Sequence, residues 1–257
     1  LIVMSKVRSY LSLIKFSHTI FAMPFALIGF FLGLFSSGMA VYGTGQWNLN
    51  RVVLKDKDYL PSSWTLDWSV AKSWLILLLL VIGCMIFARS AAMAFNRYLD
   101  RHFDAKNPRT AIREVPSGII TPKNALIFTI VNCVLFILTT WFINRICFYL
   151  SPVALAVVLG YSYTKRFTPL CHLILGVGLA LAPIGAYLAV TGMFALLPIL
   201  FSLAVLFWVS GFDIIYALQD EEFDKSNKLY SIPAWLGKGK ALLVSEFLHL
   251  LSAGAVV

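Results

Sequence analysis

Seven apolar runs, at 20–39, 73–95, 125–143, 146–163, 170–190, 196–216 and 241–257, constrain this chain more than any other feature. Crossing a hydrocarbon core about 30 Å thick takes about 20 mostly apolar residues in a helix, and only helices and closed barrels satisfy their own backbone there. The chain is 60% hydrophobic and 13% charged, with a mean hydropathy of +0.83. A soluble domain cannot bury that much apolar surface. The expected fold is therefore all-α: a polytopic transmembrane bundle of about seven spans.

Charge gives the orientation. The net charge of +9 would raise the question of nucleic acid in a soluble protein. Here it reads as the cytoplasmic excess of Lys and Arg. With the amino end inside, 15 of the 21 basic residues fall in the segment 1–15 and in the loops after the second, fourth and sixth runs. Segment 1–15, with Lys6, Arg8 and Lys15 among apolar residues, suits an interfacial amphipathic helix. Segment 41–68 is polar and rich in Trp, as at a membrane–water interface, and gives no functional signal. His18 is assigned no role. Cys84, Cys133, Cys147 and Cys171 are dispersed in or beside apolar runs, neither a disulfide framework nor a zinc pattern.

Acidic residues are scarce, yet two sets gather where apolar runs meet basic loops. In 96–104 (NRYLDRHFD), Asn96, Asp100 and Asp104 stand at i, i+4, i+8, an arc of about 80° on a helix. In 213–224 (DIIYALQDEEFD), Asp213, Asp220 and Asp224 stand at i, i+7, i+11, an arc of about 40° if the helix continues. Both lie on the expected cytoplasmic side. Magnesium is usually held by one or two carboxylates together with substrate phosphates. The two faces therefore point to Mg²⁺ and, through it, a diphosphate. Arg97, Arg101, Arg109, Arg113, Lys165 and Arg166 lie nearby to steady a phosphate leaving group. Glu221 and Glu222 would point away from the acidic face. Arg89, inside the second run, costs about 3 kcal/mol to place in a membrane and shares a face with Asn96 seven residues on, so it is expected to be functional. A polar rim over an apolar channel describes a site for an amphiphile with a diphosphate head.

These residues carry a resemblance to the UbiA superfamily of intramembrane aromatic prenyltransferases. The stretch 96–104 matches the family's N-x-x-x-D-x-x-x-D motif, with Arg97 where the family more often has Asp. The stretch 213–224 matches D-x-x-Y-x-x-x-D-x-x-x-D. Arg109-Thr110, Arg113 and Pro116-Ser117-Gly118 are similar to the segment after the first motif, and 161–168 (YSYTKRFT) to the loop after the fourth span. Within the superfamily the chain is most similar to the 4-hydroxybenzoate polyprenyltransferase branch.

The resemblance implies Mg²⁺-dependent transfer of a polyprenyl group from its diphosphate to an aromatic acceptor, 4-hydroxybenzoate first, in ubiquinone biosynthesis. Asp100, Asp104, Asp213, Asp220 and Asp224 would hold the metal, assisted by Asn96. Arg109, Arg113, Lys165 and Arg166 would bind the diphosphate, Arg89 the acceptor carboxylate, and Tyr216 would line the pocket. The alternatives are another acceptor (a menaquinone precursor or a tetrapyrrole) and, in a different class, a cation transporter. A transporter would place its ionisable site near the bilayer midplane, whereas these acids sit at one rim. Family members are similar in having nine spans, so 1–257 is expected to be a single domain, incomplete at its C-terminus. A bacterial inner membrane, with the active site facing the cytoplasm, is the expected location. No nucleic-acid or protein partner is expected.

Overall fold

The computed structural model describes the backbone of residues 2–14, 16–37 and 68–257, and the side chains of 8–14, 22–37 and 72–257. The His18 side chain, and segment 41–68 up to the start of the third helix, lie outside the described residues. The fold is all-helical, as expected: α1 (Ile2–Leu13), α2 (Phe16–Ser36), α3 (Trp68–Asp104), α4 (Pro122–Ile143), α5 (Arg145–Thr164), α6 (Cys171–Thr191), α7 (Leu196–Ala217), a single 3₁₀ turn (Leu218–Asp220), α8 (Glu221–Ser226), α9 (Ile232–Leu236) and α10 (Lys238–Gly254).

Among the described residues, five stretches are long and apolar enough to cross a membrane: Lys72–Asp104, Pro122–Ile143, Arg145–Thr164, Cys171–Thr191 and Leu196–Ser226. The first expected span is seen in its described part as the shorter apolar helix Ala22–Ser36. The seventh is α10, 17 residues long, which carries Lys238, Lys240 and Glu246 and begins one turn before the apolar run. α3 has 37 residues and at 1.5 Å per residue is about 55 Å long. It therefore outruns the hydrocarbon core. The first acidic stretch is its projecting end, not part of a loop.

The connections follow local chemistry. Thr121 caps α4 by accepting from the Asn124 N–H, and Pro122 follows at the position where a missing N–H costs nothing. Asn144 alone joins α4 to α5. Its side chain accepts from the Cys147 N–H and donates to the Leu188 and Ala189 carbonyls at the far end of α6. Gly192 ends α6 in the left-handed conformation, φ 66°.

Packing puts α6 at the centre, against α2, α5 and α7, with α10 outside α7. Small residues allow the close approaches. A Cβ on Gly29 of α2 would fall 1.9 Å from the Pro183 carbonyl oxygen of α6. One on Gly176 of α6 would fall 2.2 Å from Ser210 Oγ of α7. The other small residues of α6 serve differently. Gly178, Ala182 and Gly185 line a cavity of about 340 Å³ bounded by α3, α4, α5 and α6, with one edge of α2. Small side chains leave this space open instead of closing a helix contact.

α1 is tied to the end of the bundle that carries the first acidic stretch. Leu13 packs with Ala94, Val115, Ile120 and Ala125, Tyr10 lies 5.1 Å from the Phe128 ring, and Ser12 donates to Glu114. The 105–121 loop is thereby pinned at both its apolar residues and its turns.

Candidate active site

The last turns of α3 present the first acidic stretch as the spacing predicts. Asn96 donates to Asp100 Oδ2 at 3.0 Å, one turn away on the same face. Asp100 is also approached by Arg166 from the α5–α6 loop, at 3.4 Å. Asp104, 7% exposed, accepts from Arg113 Nη1 at 2.7 Å through Oδ1. Its Oδ2 makes no hydrogen bond, with Arg97 Nη1 3.9 Å away. The seven-residue spacing of Arg97 and Asp104 brings them to one side of α3. Arg97 is thus buried beside an acid and does not stand among the rim cations. Arg101 also turns away, donating to the Tyr98 carbonyl and stacking on that ring.

The second stretch departs from the expected geometry. α7 stops at Ala217, a 3₁₀ turn carries Asp220, and α8 carries Asp224. The three acids therefore do not share one helical face. Tertiary partners explain the break. Arg109 grips both oxygens of Asp220, through Nε at 3.1 Å and through Nη2, while Asn107 Nδ2 donates to Oδ1 at 3.0 Å. Asp224, fully buried, lies 2.7 Å from Lys165 Nζ. That ion pair is close but not aligned as a hydrogen bond, and neither oxygen of Asp224 accepts one. Asp213 Oδ2 sits 2.7 Å from His172 Nδ1. Glu221 pairs with Lys225 one turn on, outside this set.

Loops from both sides of the sequence thus interleave. The segment after α3 reaches the second acidic stretch through Asn107 and Arg109. The α5–α6 loop reaches both stretches, Asp100 through Arg166 and Asp224 through Lys165. The Lys165 carbonyl also accepts from the Tyr230 N–H at 2.8 Å. Burial lowers the pKa of the Arg109 guanidinium, but its hydrogen bonds to Asp220 outweigh this and leave it above its ordinary value. Tyr216 stands at the rim, its hydroxyl accepting from Arg109 Nη1 at 3.2 Å and its ring under the guanidinium. It is not part of the cavity lining.

Beneath this rim lies the apolar cavity. Arg89 and Tyr161 line it, and Arg89 Nε is buried without a hydrogen bond. At 1.5 Å per residue Arg89 is about 10 Å below Asn96 along α3. The wall runs on through Cys84, Val157, Ala182 and Cys147 towards Phe194 at the opposite end.

Of the residues expected from sequence, Asn96, the five aspartates, Arg109, Arg113, Lys165 and Arg166 come together at the rim, with Tyr216 beside Arg109 and Arg89 below. His172 and Asn107 were missed. A lone His at the start of an apolar helix and an Asn before Pro108 carry no periodic signal. Only their positions just after the basic loop and just before Arg109 mark them.

The donor set fits Mg²⁺. Asp104 and Asp224 keep buried carboxylate oxygens without hydrogen bonds, and Asp100 and Asp213 are each partly exposed. Among the described residues, no three acid, His or Cys side chains stand close enough to hold one ion. A hard cation such as Mg²⁺ is usually held by one or two carboxylates and completed by phosphate oxygens.

Fold and site together define an intramembrane helical protein with a two-part acidic rim over an apolar pocket. A model of the UbiA prenyltransferase family matches residues 60–257, and the chain belongs to that family. It is similar to a 4-hydroxybenzoate octaprenyltransferase of Tolumonas auensis, 32% identical over 187 residues, 72% of this chain and 65% of the relative. A second, from Albidiferax ferrireducens, is 36% identical over 154 residues, 59% of this chain and 51% of the relative. The chain thus spans about half to two thirds of the length of these curated relatives. Among solved structures, the apo form of a UbiA homolog from Aeropyrum pernix K1 is 29% identical with a TM-score of 0.72, covering 93% of this chain and 77% of that one. A UbiA homolog from Archaeoglobus fulgidus bound to GPP and Mg²⁺ shares the fold at 20% identity, TM-score 0.68, covering 96% of this chain and 76% of that one.

Proposed function

We propose that the protein transfers a polyprenyl group from polyprenyl diphosphate to an aromatic acceptor, with 4-hydroxybenzoate as the first choice, in quinone biosynthesis. The observation that carries this reading is the juxtaposition of two acidic stretches, each already paired with movable cations, above an apolar cavity whose wall holds one arginine. The names of the relatives and the diphosphate and Mg²⁺ of the Archaeoglobus homolog agree with it.

Asp100, Asp104, Asp213, Asp220 and Asp224, with Asn96 assisting, would hold Mg²⁺, which when bound supplies charge neutralisation for the diphosphate. Arg109, Arg113, Lys165 and Arg166 bind the diphosphate oxygens and stabilise the pyrophosphate as the bond from its oxygen to the allylic carbon breaks. The apolar wall keeps water from the allylic cation. Arg89 pairs with the acceptor carboxylate and holds the ring between cavity and rim. The ring carbon ortho to the phenol forms the new bond and then loses its proton. The clustering of basic residues on one side supports a cytoplasmic rim in a bacterial inner membrane.

The test is transfer of a labelled polyprenyl group to 4-hydroxybenzoate in membranes carrying the full-length protein. Prenylated hydroxybenzoate that disappears with EDTA is the expected result. Product with only a different aromatic keeps the reaction and replaces the acceptor. No transfer to any aromatic overturns the proposal.

A further inference from the structure

His172 is 3% exposed in the first turn of α6 and has a partner on each ring nitrogen. Nε2 accepts a hydrogen bond from the Ile232 N–H at 3.3 Å. A backbone N–H can only donate, so Nε2 carries the lone pair and the ring proton sits on Nδ1. Nδ1–H then donates to Asp213 Oδ2 at 2.7 Å. One oxygen of Asp213 is committed to the ring, while the side chain as a whole stays 29% exposed.

The sequence builds this contact two turns deep. Gly176 lies one turn after His172, and Ser210 lies three residues before Asp213. The lack of a side chain at Gly176 lets α6 approach the Ser210 hydroxyl and the Leu206 carbonyl. That close approach brings the histidine alongside the aspartate. On the other side, α9 closes the ring in, with Ile232 itself buried.

The other rim acids are held differently. Asp100, Asp220 and Asp224 are paired with Arg166, Arg109 and Lys165, whose side chains are each about one-third exposed. Asp104 is paired with Arg113, one-fifth exposed. Such long, partly solvated cations can move to a phosphate. Buried Arg97 is fixed but stands 3.9 Å from Asp104 and makes no hydrogen bond to it. His172 is a short, enclosed donor with nowhere to go.

We propose that His172 is a positioning residue that keeps the Asp213 carboxylate in one orientation while the cations on the other acids exchange partners, and that Asp213 is therefore the preset member of the magnesium-binding set. This rests on the reading of Asp213 as a Mg²⁺ ligand. Outer partners of this kind are worth about 10–100-fold in metal affinity.

The experiment compares full-length wild type, His172→Phe, His172→Asn and Asp213→Asn in detergent, titrated with Mn²⁺ in the presence of geranyl diphosphate and without any aromatic acceptor. Bound Mn²⁺ is read by electron paramagnetic resonance, and thermal midpoints are recorded. Phe keeps the ring's shape without its proton donor, and Asn keeps an N–H donor at the Nδ1 position. About tenfold weaker Mn²⁺ binding in His172→Phe, restored to within about threefold in His172→Asn, is expected. Wild-type binding in His172→Phe overturns the proposal, as does equal weakening in both variants with a parallel loss of thermal midpoint. If His172→Phe does not accumulate, His172→Leu, which also lacks the donor, takes its place: about tenfold weaker binding supports the role, and wild-type binding overturns it. Wild-type binding in Asp213→Asn would instead remove the ligand reading on which the proposal stands.

Discussion

The two acidic stretches end apolar helices on the same side of the bundle, yet they are built in opposite ways. The first is a plain extension of α3: its backbone is an uninterrupted α-helix, and the i, i+4, i+8 spacing alone places Asn96, Asp100 and Asp104 together. The second is a broken element, and its acids are placed by residues from elsewhere in the chain. Arg109 and Asn107 come from the loop after α3, Lys165 from the loop after α5, and His172 from α6. The first half of the rim is a matter of helical geometry, the second a matter of tertiary packing. Each should therefore fail differently when perturbed.

The largest effect is expected at the junction of the two. Asp220→Ala removes the acid that Arg109 and Asn107 share, and should cut kcat/KM by at least about 100-fold, the scale of removing one preorganised electrostatic group. Retained activity in Asp220→Ala, or in Asp100→Ala at normal expression, would count against the metal role of that half. Next is Arg89→Leu, which lies on the regular half but below the rim. Its loss of a charge-assisted hydrogen bond, about 1.5–3 kcal/mol, should raise KM for 4-hydroxybenzoate by about 10–100-fold and leave KM for the diphosphate in place. A change in the diphosphate KM alone would move Arg89 out of the acceptor site.

Gly176→Ala sharpens the contrast from a distance. The added methyl meets Ser210 Oγ and the Leu206 carbonyl and should cost about 1–3 kcal/mol, seen as a lower thermal midpoint. Because it forces α6 from α7, it should also raise the Mg²⁺ requirement, whereas a change of similar cost at the outer end of the bundle should not. Asn144→Ala provides that control. It removes an N-cap worth about 1 kcal/mol, and the thermal midpoint should fall with the Mg²⁺ requirement unchanged. The smallest effect belongs to Lys225→Ala, which breaks the exposed pair with Glu221 and should alter stability by less than about 0.5 kcal/mol.

The same contrast explains what could be read from the chain. The apolar runs located the spanning helices, and the three caps and turns at Thr121, Asn144 and Gly192 have sequence signals of their own. The first acidic stretch was legible because helix periodicity decides it. The second was visible as a motif but not as a shape, since a continuous helix from Asp213 to Asp224 was the simplest extrapolation. The ion pairs that bend it involve partners more than 50 residues away. His172 was illegible for the same reason: its role exists only once α6, α7 and α9 are packed. The seven-residue spacing of Arg97 and Asp104 is written in the sequence, but nothing local distinguishes an arginine paired along its own helix from one that faces a ligand.

The cavity wall has a further consequence. Val153 and Phe194, which line it, are each more than half exposed. The pocket is therefore a bay and not a sealed box. On the proposed reading, a prenyl tail longer than the bay continues into the bilayer. Discrimination then falls on the diphosphate head and the first isoprene units, and the thickness and fluidity of the host membrane become variables of substrate choice.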